Sequence, residues 1–477
     1  MKKLNYAVIG ALFFSSFNAQ VKNGSFENSK AGLPEHWEIK KYDLYDIKTD
    51  PKQKYTGKAS IQIVGNSYDY KTFQNFSQSI PFTTDRLQKI EISAYIKSEN
   101  VTGKIDLWAQ LKDSSGKMID FQNFISQGKI IASNKDWTKY AMTFFIDKNS
   151  KEILLGGTLY GSGNVWFDDF ETHEIKISTE ASSETATAYI DRAKTIIKTH
   201  SIFTDQVDWP IVENNLTKIS KGMQTIDDTT PALTYLLQQI KTAGDNHSFI
   251  ESKDRSEKRK VSNPKGLEPE YKLIDQTIGY ISVPGFSSSN KELGNEFAQK
   301  IHDMIKKMDS ENDIKGWIVD VRNNTGGTMY PMILGLGNLT GEGNLGYFAE
   351  NNNKKTPWIY QKGKIVYYEV KDLYSLKKAN QKVAVLIGPK TASAGEITAI
   401  AFIGKDNTKL FGRSTRGLTT GNKVFPLSDG RNLVLSSSYD ADRNGKAYQG
   451  KILPDVTVKE TPDKDADIEA AKTWIME

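Results

Sequence analysis

The apolar pattern of this 477-residue chain changes period near residue 176, and that change limits what the chain can fold into. Upstream, apolar and polar residues alternate in short runs such as Ser60-Ile61-Gln62-Ile63-Val64, Lys89-Ile90-Glu91-Ile92-Ser93-Ala94-Tyr95-Ile96 and Ile105-Asp106-Leu107-Trp108-Ala109-Gln110-Leu111. Side chains two apart share one face of a strand, so each run buries one side, and the Gly, Asn, Asp and Ser clusters between runs predict turns. Several short half-buried strands are accommodated by two antiparallel sheets packed face to face. Residues 20–176 are therefore expected to form an all-β sandwich.

Downstream the period lengthens. After the polar stretch Ser178-Thr179-Glu180-Ala181-Ser182-Ser183-Glu184, apolar residues recur at helical spacing, as in Ala188, Ile190, Ala193, Ile196 and Ile197. A small helical bundle over 177–255 is expected, followed by a polar loop over 251–270. From 256 to 477 strands and helices alternate: strands at 277–283, 316–320, 382–387 and 409–411, helices at 293–308, 332–337 and 394–403. Alternation of this kind predicts an α/β core with crossover connections.

Composition excludes several classes. Sixty-three Lys and Arg against 58 Asp and Glu leave a net charge of only +5, and the basic residues are dispersed. The one basic run, Lys253–Lys260, reads as a solvated loop, so no nucleic-acid partner is expected. The absence of cysteine removes disulfides, thiolate metal sites and a cysteine nucleophile. Lys2 and Lys3, an apolar stretch from Leu4 to Phe17 and the small Ala19 describe a secretory signal over residues 1–19. That stretch is shorter than the roughly 20 residues a permanent span requires, and no second apolar run is long enough. An exported protein, periplasmic or extracellular, with no membrane span in the mature chain is expected.

Three segments carry chemistry. Val383-Ala384-Val385-Leu386-Ile387 is a strand leading through Gly388-Pro389-Lys390-Thr391-Ala392 to Ser393 and a helix opening at Ala394. The free N–H groups and positive dipole end of a helix start favour a developing oxyanion, although a serine there also serves as a simple N-cap. Asp320-Val321-Arg322-Asn323-Asn324-Thr325-Gly326-Gly327 follows a second apolar strand, and its paired glycines allow close backbone approach to a ligand, or form only a loop. His247 lies in Asp245-Asn246-His247-Ser248. The other histidines are His36 and His173 in the β region, His200, and His302, read on a charged helix face. No pair of histidines stands at i,i+4 and no HExxH occurs, which argues against catalytic zinc, and no catalytic cofactor is expected.

Together these segments resemble the C-terminal-processing (tail-specific) serine protease family. Thr391-Ala392-Ser393-Ala394-Gly395-Glu396 is similar to its nucleophile motif, Asp320–Gly327 to its oxyanion loop, and Gly450-Lys451-Ile452-Leu453-Pro454-Asp455 to a downstream motif. The resemblance implies a Ser393 nucleophile, with Ala394 N–H and an amide of Gly326 or Gly327 as the oxyanion hole. The lysine base of one branch is replaced by Leu418, whereas Asp245-Asn246-His247-Ser248 resembles the histidine-base motif of the tricorn-like branch, implying His247 as base. That branch orients its histidine through a glutamate; Gln449 stands there, which implies a lowered rate, a substitute acid in Asp440 or Asp442, or an inactive binder. Only 29 residues separate His247 from Thr277, too few for the PDZ module of many relatives.

The N-terminal region resembles a carbohydrate-binding, galactose-binding-like jelly roll through Asn23-Gly24-Ser25-Phe26-Glu27, Pro34, Trp37 and Val165–Phe170. That resemblance implies a structural calcium near Glu27 and Asp169, and a glycan partner. The whole reads as an exported serine peptidase acting on unfolded or peptide substrates, the alternative being a binding protein with weakened catalysis on the same scaffold.

Overall fold

The structure is a computed structural model describing residues 19–69, 71–125, 127, 129–263, 266–459 and 465–477. The expected signal segment, residues 1–19, lies outside the described residues except for Ala19. No described helix is long and apolar enough to cross a membrane. The fold is multidomain, a β-rich N-terminal region and an α/β core, and it divides into two compact units: residues 1–190 with 207–243, and residues 191–206 with 244–477.

In the first unit the period-two runs become two antiparallel sheets. One has five strands in the order Tyr45–Asp50, Ser60–Asn66, Ser162–Ile175, Gln88–Glu99, Lys135–Ile146, the other four in the order Phe73–Pro81, Glu152–Tyr160, Lys104–Lys112, Met118–Asn123. Alternate residues such as Ile61, Ile63, Ile90, Ile92, Ile105, Leu107, Ile153 and Leu155 are buried in one common core. The N-terminal and closing motifs meet there: Phe170 N–H donates to Gly24 O at 3.0 Å, Trp37 Nε1 donates to Asn23 O at 3.0 Å, and Trp37 packs 5.0 Å from Phe170.

The segment 177–255 is shared between the units. Helices Trp209–Ile219 and Thr230–Thr242 lie with the β-rich unit, where Tyr235 Oη donates to Asp147 at 2.9 Å and Gln238 Nε2 donates to Asp120 at 2.9 Å. Buried polar groups that reach a partner in this way give such a helix a specific seat.

The second unit holds the α/β core. Its six-stranded sheet runs Glu270–Ile274, Ile278–Ser282, Gly316–Asp320, Lys382–Ile387, Thr408–Gly412, Val456–Thr457, all parallel except the first. Trp317, Ile318, Val319 and Val383 through Ile387 are buried on both faces, which explains their unbroken apolar character. Helix Lys291–Glu311 covers one face with Phe297, Ala298, Ile301, Ile305 and Met308. His302, expected on a charged face, is instead fully buried, because position 302 falls beside 298, 301 and 305 on that apolar stripe. A second, antiparallel sheet is ordered Phe249–Glu251, Asn432–Asp442, Gly343–Ala349, Lys355–Gln361, Lys364–Ile365, Tyr368–Glu369, with Thr420–Pro426 also paired to Asn432–Asp442.

The polar loop expected over 251–270 contains a helix, Lys253–Val261. Ser252 caps it by accepting from Arg255 N–H at 3.3 Å; Asp254 sits in its first turn and Lys258, Arg259 and Lys260 in its last. With no residue of this helix buried, its stability comes from the cap, the dipole and ion pairs such as Lys260–Glu257 at 2.8 Å rather than from an apolar face, so hydrophobic periodicity gives no sign of it.

Candidate active site

Two neighbouring parallel strands position the central loops. Val319 pairs with Val385 across strands 316–320 and 382–387, so the loops leaving their carboxyl ends emerge side by side, the usual place for a site in an open α/β sheet. The loops are then tied together: Thr391 Oγ1 donates to Val321 O at 2.9 Å and Ala392 N–H to Asn324 O at 3.0 Å. The glycine loop consequently lies directly against the serine.

Ser393 occupies the turn into helix Ala394–Ile400 with φ +55° and ψ −123°, a conformation non-glycine residues seldom adopt. Strain of that kind persists only where neighbours hold it. Here Ser393 N–H donates to Glu396 at 2.8 Å, and the glycine loop closes from the other side. A Cβ added to Gly326 would lie 2.7 Å from Ser393 Cβ and 3.1 Å from Ala394 N, so only glycine fits, and its φ of +88° suits glycine as well. Gly326 N–H itself donates to Asn324 Oδ1 at 2.9 Å. Of the two glycine amides considered from sequence, Gly327 is thus the one not committed to Asn324.

Glu396 is fully buried and organises the surroundings. It accepts from Ser393 N–H, Gly417 N–H and Leu418 N–H, each at 2.8 Å, and from the Thr415 hydroxyl. Burial pushes its carboxyl up, opposed by these four donors. The Ser-x-x-Glu spacing of Ser393 and Glu396 is a capping-box pattern, a signal present in the sequence that the family motif overshadowed.

His247 arrives from another direction. The turn Asp245–Ser248 enters strand Phe249–Glu251, which pairs with Asn432–Asp442, and that strand pairs in turn with Thr420–Pro426. The imidazole Nδ1 consequently sits 2.9 Å from Thr420 Oγ1 and 3.1 Å from Thr420 O. A carbonyl only accepts, so the proton belongs on Nδ1 and the lone pair on Nε2. Burial lowers the imidazole pKa, opposed by the charge of Asp245 and by the Thr420 carbonyl. His247 lines a pocket of about 200 Å³ with Asn246, Phe203, Gly417, Leu418, Thr420, Tyr439 and Gln449.

The serine and the histidine hold opposite ends of one segment. Glu396 anchors Thr415, Gly417 and Leu418 behind Ser393, while Thr420 is bonded to His247. No direct Ser393–His247 hydrogen bond is formed among the described residues; such bonds commonly tighten only when substrate arrives. Gln449 is exposed at the pocket rim, not bonded to the imidazole. The substitute acids do not reach it either. Asp440 is fully buried with both carboxyl oxygens unpaired, and Asp442 accepts from Tyr448 Oη at 2.9 Å and from the backbone N–H of Asn444 and Lys446. Burial, and then the charge of Glu396, pushes the Asp440 carboxyl well above its usual range, so its neutral form is favoured and it supplies no charge to His247.

In the β-rich unit, Glu27 and Asp169 both close on the loop 55–59: Glu27 accepts from Lys58 N–H at 2.7 Å and Asp169 from Thr56 Oγ1 at 2.8 Å. Beside them Asp168 accepts from Tyr55 N–H at 2.8 Å and is pushed up to about 7, chiefly by burial. No group of three or more His, Cys, Asp or Glu placed to hold a metal occurs among the described residues.

Residues 277–458 match peptidase family S41. Over 319 residues the chain is 28% identical to the nisin-resistance protein of Lactococcus lactis subsp. lactis, an alignment covering 65% of this chain and 94% of that one. It is 27% identical over 191 residues to the carboxy-terminal processing protease CtpA of Bacillus subtilis strain 168, covering 40% of this chain but only 37% of the relative. Among solved structures, a lipoprotein from Streptococcus agalactiae shares the fold with a TM-score of 0.51 at 24% identity, over 62% of this chain and 97% of that one. Residues 277–458, which carry the strand-end serine and glycine loops described above, thus form a peptidase family S41 domain, similar to the carboxyl-terminal-processing proteases.

Proposed function

We propose that the chain is an exported serine peptidase that hydrolyses polypeptides, with Ser393 as nucleophile and His247 as base. The observation that carries the reading is the segment 415–420, held at one end by the carboxylate that supports Ser393 and at the other by the imidazole. His247 Nε2 takes the Ser393 Oγ proton as Oγ attacks the substrate carbonyl carbon. The carbonyl electron pair moves onto oxygen, where Ala394 N–H and Gly327 N–H stabilise it. On collapse the C–N bond breaks, the leaving nitrogen takes the proton from Nε2, and water deacylates the enzyme by the same route.

Ser393→Ala should abolish hydrolysis of casein, and His247→Ala should lower it at least about 1,000-fold. Casein digestion by Ser393→Ala at the wild-type rate would overturn the assignment. Nisin belongs in the same assay, because one relative is named for resistance to it. The missing Ser393–His247 hydrogen bond favours the second reading, a peptide-binding protein with weakened catalysis; wild-type protein that binds but never cleaves would establish it.

For the N-terminal unit the proposal is a glycan-binding role, supported by Phe73 and Tyr160, neighbours across two strands of the four-stranded sheet with rings 5.4 Å apart and neither buried. Calcium would bind through Glu27 and Asp169. Their oxygens already accept from N–H and O–H donors, so a chelator that leaves the melting temperature unchanged would show that these bonds hold the loop alone.

A further inference from the structure

We propose that Thr420 and Ser436 form a hydroxyl relay that positions His247 and couples its imidazole to the carboxylate of Asp245. The inference rests on the peptidase reading, and names residues that take the place of the glutamate absent at Gln449. The chain of contacts is continuous. His247 Nδ1 lies 2.9 Å from Thr420 Oγ1, Thr420 Oγ1 3.1 Å from Ser436 Oγ, and Ser436 Oγ 3.2 Å from Asp245 Oδ1.

The donor count closes along this path. Nδ1–H donates to Thr420 Oγ1 and shares its proton with Thr420 O at 3.1 Å, the Thr420 hydroxyl donates to Ser436, and the Ser436 hydroxyl donates to Asp245. Ser436 Oγ has a second acceptor within reach, Asn422 Oδ1, also at 3.2 Å. A hydrogen bond to a carboxylate is roughly twice as strong as one to a neutral amide, so the charged acceptor is preferred. No proton leaves its own atom; the chain polarises as the imidazole gains charge.

Asp245 is built for this task. It is fully buried and also accepts from His247 N–H at 2.7 Å, from Ser248 N–H at 2.9 Å and from the Ser248 hydroxyl. The acid is therefore rigid, and it lies two residues from the base it serves, its hydrogen-bonded path to the imidazole ring running by way of the other strands. Ser436 N–H donates to Ser248 Oγ at 2.9 Å, which locks the relay strand to the same turn. The titratable groups around the imidazole are Asp245 and Tyr439, which lines the same pocket and is pushed above the usual phenol range by burial and then by the charge of Asp245.

Thr420→Val and Ser436→Ala each keep the fold and remove one link. Each should lower kcat about 10- to 100-fold, with KM changed less than about twofold. The double variant should be no worse than the more damaged single one, because both break one chain. Thr420→Ser should restore activity. The acid limb of the kcat/KM profile should move to lower pH in Thr420→Val and Ser436→Ala, because the imidazolium loses the hydrogen-bonded path to Asp245 while the through-space charge remains. Equal activity, or losses that multiply with an unmoved limb, would overturn the relay. A readout independent of turnover uses Ser393→Ala protein with labelled histidine. Nitrogen NMR should show the Nδ1–H tautomer of His247, and adding Ser436→Ala should lower its titration midpoint. An unchanged midpoint overturns the relay; wild-type protein without Ser393-dependent cleavage overturns only the peptidase reading.

Discussion

Replacing Gly326 by alanine separates backbone strain from direct damage to the nucleophile. A Cβ at this position would stand 2.7 Å from Ser393 Cβ and 2.8 Å from Ala392 O. Ordinary carbon contacts begin near 3.5 Å, so serine or loop must retreat by roughly 1 Å. A misplacement of that size costs about 100-fold in rate, and losing one oxyanion donor costs about 100- to 1,000-fold. The positive φ of +88° adds about 1–2 kcal/mol for any side chain, and overpacking roughly 1–3 kcal/mol more. Gly341 supplies the control, since its φ is +78° but nothing lies within 4 Å of an added Cβ. Gly341→Ala should therefore lose about 1–3 kcal/mol in urea unfolding and keep its kcat, whereas Gly326→Ala should lose about 2–5 kcal/mol and at least about 100-fold in kcat on casein. If the two variants cleave casein equally well, the glycine loop does not abut the reacting serine and the reasoning fails.

Glu396→Gln turns one acceptor oxygen into an NH₂ group facing N–H donors, and should cost about 1–3 kcal/mol by urea unfolding together with most activity; full activity in this variant would refute the support role. Asp440 is held well above the usual carboxylate range by burial and then by the charge of Glu396. The folded state thus retains a proton that the unfolded chain releases above the ordinary aspartate value of about 3.9, so stability falls as pH rises from there toward the folded value. Asp440→Asn should flatten that fall above about pH 4 in urea unfolding, and parallel curves for both proteins would contradict it. Gln449→Glu should change kcat less than about threefold, because Gln449 lies exposed at the pocket rim without a bond to His247; a collapse in kcat would give Gln449 a part in the chemistry.

Much was legible from local pattern. Strand 382–387, the turn to Ser393 and the helix at 394 follow from an unbroken apolar run meeting a Gly-Pro turn, and the parallel core follows from strand–helix alternation. Helix 253–261 was not legible, because a helix with Val261 as its one apolar residue carries no apolar period. The burial of His302 went against its charged sequence neighbours, since the helical face is set by residues three and four away.

Spacing along the chain determined which side chains share a face, because each element repeats its own period, and it determined that a serine closes one strand while glycines follow its neighbour. Which distant groups meet was decided by strand register alone. Thr420 reaches an imidazole 173 positions away, Ser436 reaches a carboxylate 191 positions away, and Asp440, four residues beyond Ser436 on the same strand, turns instead toward Glu396. Pairing of 249–251 with 432–434, and of 420–426 with 432–439, selects these partners, and no local preference of the residues contains that choice.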